Sequence, residues 1–211
     1  MVNLKDIAES IIAGKAPRVK ELVQQAVNDG VPSGKILNEG LIAGMDVVGT
    51  KFRANEFYIP EVLVAAKAMK SGMEILKPLL SQTGVKPVAR FAIGTVKGDL
   101  HDIGKNLVSM MMEGAGFEVI DIGIDVSPER FIEIIKEKQP QIIGMSALLT
   151  TTMPAMKTAI ETLRQSGVRD QVKILVGGAP ITQEFSQTIG ADGYAGDAAS
   201  AVSKAKELIG A

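Results

Sequence analysis

From residue 88 to the C-terminus, short apolar runs alternate strictly with segments that have the spacing of amphipathic helices. The five runs are VARFAIGTV, EVIDIGI, QIIGMS, KILVGG and GYAG, and the last helical segment is DAASAVSKAKELIGA. Because each strand is followed by a helix, the strands are expected to run parallel, with right-handed crossovers. The alternation predicts an α/β fold with a doubly wound, five-stranded parallel sheet of the flavodoxin-like (Rossmann-like) type over residues 85–211.

The first 84 residues carry a different pattern, with apolar residues at helical spacing only. Four segments show it: LKDIAESIIAG, APRVKELVQQAVNDG, VPSGKILNEGLIAGMDVVGTKF and IPEVLVAAKAMKSGMEILKPLL. The polar stretch SQTGVKP that follows contains both Gly and Pro, which is typical of a linker. We therefore expect a four-helix bundle over residues 1–84, followed by the sheet domain.

Composition restricts the chemistry open to this chain. Of 211 residues, 23 are Lys or Arg and 24 are Asp or Glu, so a net charge of −1 provides no basic excess for binding nucleic acid or an anionic membrane. The sequence has no cysteine and one histidine, which excludes disulfides and argues against a structural zinc site. There is no signal-peptide pattern, and no apolar run approaches the ~20 residues of a membrane span, so we expect a cytoplasmic protein.

The one histidine, His101, lies in the stretch GTVKGDLHDIGKN, between the first predicted strand and the next helix. Asp99 and Asp102 stand on either side of it. Ligands of doubly wound sheets bind beyond the carboxyl ends of the strands, where this loop meets ALLTTT, GGAP and YAGDA. The position makes His101 the first candidate for a functional residue.

The loop comes close to a phosphate-binding motif without matching it. Gly98 and Gly104 are separated by five residues, whereas GxxxxGK[ST] requires four. Asn106 follows Lys105, so the hydroxyl that would hold magnesium is missing as well. The motif GxGxxG is also absent.

Two possible chemistries remain open for the histidine. The third strand ends in Met145-Ser146, which excludes the aspartate of a phospho-acceptor domain, and no GxSxG elbow supplies a hydrolase nucleophile. Asp99 and His101 could act as a general base and its orienting group. Alternatively, His101 could bind a metal whose other ligands come from a macrocycle, with Asp99 fixing the second ring nitrogen.

The pattern DxHxxG (Asp99, His101, Gly104), followed by MSALLTTT and GGA, resembles the cobalamin-binding domain of the methionine synthase type. The segment GLIAGMDVVGTKFRANEFYIPEVLVAAKAMK is similar to the helical cap domain of that family. The resemblance covers nearly the whole chain. At this length it points to the corrinoid proteins of multi-component methyltransferase systems, and it implies cobalamin or a related corrinoid as the cofactor.

The resemblance also implies roles for individual residues. His101 would replace the cofactor's own base as the lower cobalt ligand, Asp99 would hold the imidazole, and Thr152 would complete this relay in place of the family's serine. Protonation of the relay would loosen the histidine and favour four-coordinate cobalt(I). Corrinoid contacts are also implied for Gly98, Leu100, Asp102, Gly104, Ser146, Leu148, Thr150, Gly177, Gly178, Ala179 and Ala198.

Three residues of the helical half match positions near the cofactor in the family's cap. Phe52 and Ile59 match two apolar residues that cover the upper face of the corrin, where they would exclude water from a reactive cobalt–carbon bond. Glu39 matches a further cap residue close to the cofactor. Without the resemblance, Phe52 and Ile59 could equally be ordinary core residues of a helical bundle.

The implied function is methyl transfer. Cobalt(I) would accept a methyl group from a substrate-specific methyltransferase, and methylcobalt(III) would pass it to an acceptor methyltransferase that uses folate or a thiol. A reductive activase would be a third partner. The donor, a methylamine, methanol or a phenyl methyl ether, stays open. Alternatives are the small subunit of an adenosylcobalamin isomerase, a cobalamin-binding regulator and a plain nucleotide-binding module.

Overall fold

The computed structural model describes residues 2–211, apart from the side chain of residue 81. Four helical stretches occupy the N-terminal part. Helix α1 spans Leu4–Ile12 and α2 spans Ala16–Asn28; α3 comprises the consecutive segments Ser33–Lys35, Ile36–Ile42 and Ala43–Arg53; α4 spans Ile59–Thr83. The predicted four helices are therefore confirmed, and α4 continues into the stretch that we interpreted as linker.

The middle segment of α3, Ile36–Ile42, is a π-helix, which the apolar spacing did not predict. Close packing against α1 accompanies it. A Cβ added to Gly40 would lie 3.3 Å from the Ile7 side chain, and one added to Gly44 would lie 2.8 Å from Ile11. The two glycines let α1 and α3 approach closely, and wide π turns are often found at functional positions.

The remaining elements confirm the predicted alternation of strands and helices. The strands are β1 (Arg90–Val96), β2 (Glu118–Val126), β3 (Ile142–Ser146), β4 (Lys173–Gly177) and β5 (Gly193–Ala195). The helices are α5 (Ile103–Gly114), α6 (Pro128–Lys138), α7 (Met153–Gln165), α8 (Gln183–Ile189) and α9 (Ala198–Ile209). As predicted, Ser127 caps α6 by accepting a hydrogen bond from the Arg130 N–H.

All five strands pair in parallel in the order β2-β1-β3-β4-β5, which confirms the doubly wound sheet. Strands β1 and β3 are central and almost fully buried, as expected where helices cover both faces of a parallel sheet. One face packs against α6 and α7 through a mainly aliphatic core, and its buried members include Phe131, Ile135, Ile143, Ile160, Leu163 and Ile174. The chain order reverses between β1 and β3, so their carboxyl ends form the expected ligand-binding edge.

The chain divides into two compact units. The first runs to Pro87 and takes in Gly114–Gly116, and the second contains Val88–Glu113 and Phe117–Ala211. Across the residues described, no helix has both the length and the apolar character needed to cross a membrane.

Candidate functional site at the carboxyl edge of the sheet

His101 and Asp99 form a compact hydrogen-bonded turn directly after β1. The Asp99 Oδ1 atom lies 2.8 Å from the His101 Nδ1 atom and also accepts the His101 backbone N–H at 3.0 Å. The hydroxyl of Thr95, inside β1, donates to the His101 carbonyl oxygen at 2.8 Å. The backbone and the ring of His101 are therefore both fixed by groups that are themselves fully buried.

The second oxygen of Asp99 is held from the neighbouring strand's loop. Asp99 Oδ2 lies 2.6 Å from the Thr152 hydroxyl and accepts the backbone N–H groups of Leu148 at 2.8 Å and of Leu149 at 3.4 Å. The Thr152 hydroxyl also lies 2.9 Å from the Leu149 carbonyl oxygen. Because it has a single proton and the carboxylate is both charged and closer, we assign its hydrogen bond to Asp99.

The environment of Asp99 favours the ionised carboxylate. Burial alone would raise the pKa of this carboxyl, since it penalises the charged form. Hydrogen bonds from the Thr152 hydroxyl, from the Leu148 N–H and from the N–H groups of His101 outweigh that effect and hold the pKa well below its usual range. A carboxylate only accepts, so the ring proton of His101 lies on Nδ1 and the lone pair on Nε2.

The Nε2 side of the ring is open. The His101 side chain is 49% exposed, and no hydrogen bond links Nε2 to any other residue that the structure describes. Within that same part of the chain, no group of three or more His, Cys, Asp or Glu side chains could hold a metal ion. The site therefore presents one oriented nitrogen ligand.

Comparisons with known proteins identify the family of this site. Two family models, each described as a B12 binding domain, match residues 89–204 and 4–77. The dimethylamine corrinoid protein of Methanosarcina barkeri is 47% identical over 208 residues, which are 98% of this chain and 97% of that protein. This chain belongs to the B12-binding corrinoid proteins.

Solved structures of corrinoid proteins share the fold as well. A cobalamin-binding protein from Desulfitobacterium hafniense DCB-2 is 30% identical, with a TM-score of 0.82 and 99% of both chains covered. The methanol:cobalamin methyltransferase complex MtaBC from Methanosarcina barkeri is 30% identical, with a TM-score of 0.86 over 98% of this chain and 79% of that chain. These matches confirm the predicted family and fold.

The residues around His101 fit a corrinoid. The tetrapyrrole supplies four ligands from its own ring, so the protein needs only the single imidazole nitrogen that this site presents. Large apolar side chains also stand exposed in the same loops. Leu100 is 67% exposed and Ile103 is 76% exposed, and Leu148 and Leu149 are exposed as well. Such apolar surface is typical of a site that a bulky ligand covers.

Gly177 ends β4 and Gly178 follows it, and both lie close to the backbone of neighbouring segments. The corrinoid contact that the resemblance implies for them stays a prediction. A Cβ on Gly178, whose φ is +132°, would collide with the Ala147 carbonyl oxygen. A Cβ on Gly177 would lie 2.9 Å from the Ala195 carbonyl oxygen. Both positions therefore require glycine with or without a ligand.

The other residues that the resemblance implied lie at the same edge of the sheet without joining the Asp99 network. Ser146 ends β3 and Ala198 begins α9, where it is buried. Asp102 accepts a hydrogen bond from the Asn106 amide at 3.0 Å and does not contact the imidazole ring through any hydrogen bond. Gly98, Gly104, Thr150 and Ala179 are exposed.

The three cap residues belong to the first unit of the chain. Ile59, the first residue of α4, is 45% exposed, so it is not a core residue of the helical bundle. Phe52 lies near the end of α3 and is partly exposed. Glu39 lies in the π segment and is exposed, with its carboxylate 4.0 Å from the Lys35 ammonium.

Sequence reasoning missed two buried polar residues of the site. Thr95 is the one polar side chain in the run FAIGTV, and that interruption of an apolar run was a usable signal. Lys105 is buried, and its ammonium lies 2.6 Å and 2.7 Å from the two carboxylate oxygens of Asp121 on β2. This ion pair ties the first turn of α5, directly after the His101 loop, to the sheet. No local pattern indicated it.

Proposed function

We propose that this cytoplasmic corrinoid protein carries a methyl group between two methyltransferases, with His101 as the lower ligand of the bound cobalt. The observation that carries the proposal is the chain of contacts from Thr152 through Asp99 to the Nδ1 atom of His101, which leaves Nε2 free. A bound corrinoid supplies the cobalt that takes up and releases the methyl group. The protein supplies the oriented imidazole, which is held by a fully buried carboxylate.

Each member of the network has a distinct physical task. Asp99 keeps the proton on Nδ1 and thereby keeps the lone pair on Nε2, where a metal can use it. The Thr152 hydroxyl and the Leu148 N–H hold the carboxylate in place and stabilise its charge. Because Asp99 is fully buried, water does not compete for its hydrogen bonds.

General acid–base catalysis by Asp99 and His101 is the less favoured alternative. Both oxygens of Asp99 are occupied by N–H and O–H donors, and hydrogen bonding holds the pKa of its carboxyl well below the usual range. A carboxylate in that state is a weak base near neutral pH. This excludes Asp99 as the base, and the match to B12 binding domains and corrinoid proteins favours a metal ligand over a proton-transfer group at His101 Nε2.

The partner enzymes that we propose are inferred from the proteins that this chain is similar to. Dimethylamine corrinoid proteins match this chain at 47% and 45% identity over almost its full length, and the MtaBC neighbour is a methanol:cobalamin methyltransferase complex. We propose a methylated amine as the donor, delivered by a substrate-specific methyltransferase. An acceptor methyltransferase that uses folate or a thiol, and a reductive activase, complete the system.

The test is reconstitution followed by transfer. The purified chain is incubated with hydroxocobalamin, free corrinoid is removed by gel filtration, and the visible spectrum and the cobalt content are measured. We expect stoichiometric retention in the wild type and in Lys97→Ala, an exposed control in the same loop. His101→Ala should show an altered spectrum. The reduced protein should then take up methyl from dimethylamine only with a dimethylamine methyltransferase; failure of the wild type to retain corrinoid would overturn the proposal.

A further inference from the structure

The end of strand β2 is irregular where it runs beside the His101 loop. Its pairing with β1 shifts register twice, between Ile93 and Gly94 and again between Gly94 and Val96. Each shift inserts an extra residue into β2, which bends the strand end and turns its side chains. Within this segment Asp125 adopts a φ of +51°, a left-handed conformation that is uncommon for residues other than glycine.

Asp125 makes two hydrogen bonds to the peptide units that precede His101. Its Oδ1 atom accepts the backbone N–H of Gly98 at 2.7 Å, and its own backbone N–H donates to the Asp99 carbonyl oxygen at 3.1 Å. The two bonds fix the chain on both sides of the Asp99 Cα. The left-handed backbone of Asp125 points its N–H and its carboxylate toward the same neighbouring segment.

The segment Gly98–Asp99, which these two hydrogen bonds hold, needs such support. Gly98 has a φ of +83° and is exposed, and glycine restricts its own backbone less than any other residue. The next residue, Asp99, must enter the protein interior and meet donors from the loop after β3 within hydrogen-bonding distance. A shift of the Gly98–Asp99 backbone would move the carboxylate and, with it, the ring of His101.

We propose that Asp125 is a positioning residue for His101, acting through Gly98 and Asp99. The inference rests on the proposed function, because it concerns how the cobalt ligand is held. Asp125 makes no hydrogen bond to the imidazole itself. Its role is to set the backbone from which Asp99 reaches the ring.

The chain offers a clean probe, because His101 is its only histidine. Labelling with nitrogen-15 histidine yields one pair of ring nitrogen signals, and the Nδ1 proton is visible only while its hydrogen bond to Asp99 persists. The full chain without corrinoid is compared as wild type, Asp125→Gly and Asp125→Asn. Glycine tolerates the left-handed backbone and lacks the acceptor, whereas asparagine tolerates it and keeps an acceptor oxygen.

In Asp125→Gly we expect the Gly98 amide to exchange about tenfold to a hundredfold faster, as for loss of a hydrogen bond to a charged acceptor. The Nδ1 proton signal should broaden or disappear. Asp125→Asn should keep both features near wild type. A purely structural role would lower global stability without moving the ring signals. Unchanged Gly98 exchange and an unchanged Nδ1 proton in Asp125→Gly would overturn the proposal.

Two further measurements keep the outcomes distinct. If Asp125→Gly fails to fold, amide hydrogen exchange in the wild type decides the question. Fast exchange of the Gly98 and Asp125 amides would show that the two hydrogen bonds are absent, whereas protection of both amides would support the proposal. Binding of hydroxocobalamin then separates the two proposals. We expect Asp125→Gly to bind about tenfold more weakly than wild type, as expected when a supporting residue around a metal ligand is removed. If the wild type itself retains no corrinoid, the proposed function fails. The amide and ring signals still test whether Asp125 positions His101.

Discussion

Two loops at the same edge of the sheet hold their shape by opposite means. The loop after β1 is fixed by side-chain chemistry, with the buried Asp99 carboxylate accepting N–H and O–H groups from two loops. The loop after β4 is fixed by the absence of side chains, because Gly178 packs its backbone against the Ala147 carbonyl oxygen. The first loop leaves a ring nitrogen free for a ligand, and the second lets neighbouring strand ends come close together.

This comparison distinguishes residues whose substitution should destabilise the fold from residues whose substitution should weaken ligand binding. Gly178 is required by the fold, so its substitution should affect stability with or without the cofactor. Asp99 is buried and hydrogen-bonded, and we propose that it also orients the ligand, so its substitution should affect both stability and binding. A Cβ added at Gly104 would meet nothing within 4 Å, so a substitution there should not destabilise the fold.

The largest effect is expected at Gly178. In Gly178→Ala, the new Cβ would collide with the Ala147 carbonyl oxygen, and the φ of +132° would be strained. We expect the free energy of unfolding to fall by about 3 kcal/mol or more, measured by urea denaturation. Gly167→Ala is the matched control, because its φ is +72° and its Cβ would meet nothing within 4 Å. Equal losses in the two variants would show that packing at Gly178 is unimportant.

Asp99→Asn should come next. The amide would turn an N–H donor toward the donors from Thr152 and Leu148 or toward the Nδ1 proton of His101, leaving buried groups unpaired. We expect a loss of about 3 kcal/mol in the free energy of unfolding and loss of the Nδ1 proton signal. Asp102→Asn, an exposed neighbour, serves as the stability control and should change the unfolding free energy by less than about 0.5 kcal/mol. Similar behaviour of both variants would contradict the account of the buried carboxylate.

The free energy of unfolding, measured as a function of pH, tests the same carboxylate independently. Because hydrogen bonds hold the pKa of Asp99 below its ordinary value in the folded protein, the folded state binds fewer protons than the unfolded state in acid. Its contribution is therefore fully present above about pH 4, the ordinary pKa of a carboxyl, and declines as the pH falls below it. Between pH 7 and pH 3, the stability gap between wild type and Asp99→Asn should shrink by about 1 kcal/mol. A gap that stays constant or widens in acid would have the wrong sign.

The smallest effect on the fold is expected at Gly104. A Cβ at this position, in the first turn of α5, would meet nothing within 4 Å. Gly104→Ala should leave the unfolding free energy unchanged or raise it by up to about 1 kcal/mol, since alanine favours a helix. Retention of hydroxocobalamin should nevertheless weaken if the corrinoid lies against this turn. Unchanged binding would remove Gly104 from the site.

Sequence patterns predicted the helices, the strands and the His101 loop because each depends on local periodicity or on a short motif. The features they missed depend on contacts between distant residues. The double bulge of β2 arises from its pairing with β1, and the ion pair from Lys105 to Asp121 joins a helix to a strand. Likewise, the reason for Gly178 lies in Ala147, a residue of another loop. The local spacing of residues in the sequence does not predict such distant partners.

The central claim is that His101, and not a base from the cofactor, is the nitrogen ligand of the cobalt. The most direct test uses the single histidine: the chain is prepared with ordinary or nitrogen-15 histidine, loaded with cobalamin, and reduced to the paramagnetic cobalt(II) state. Electron paramagnetic resonance then reports the axial nitrogen through its nuclear spin. We predict that the triplet splitting of nitrogen-14 becomes the doublet of nitrogen-15 in the labelled protein. A triplet that survives labelling would assign the ligand to the cofactor's own base and contradict the account.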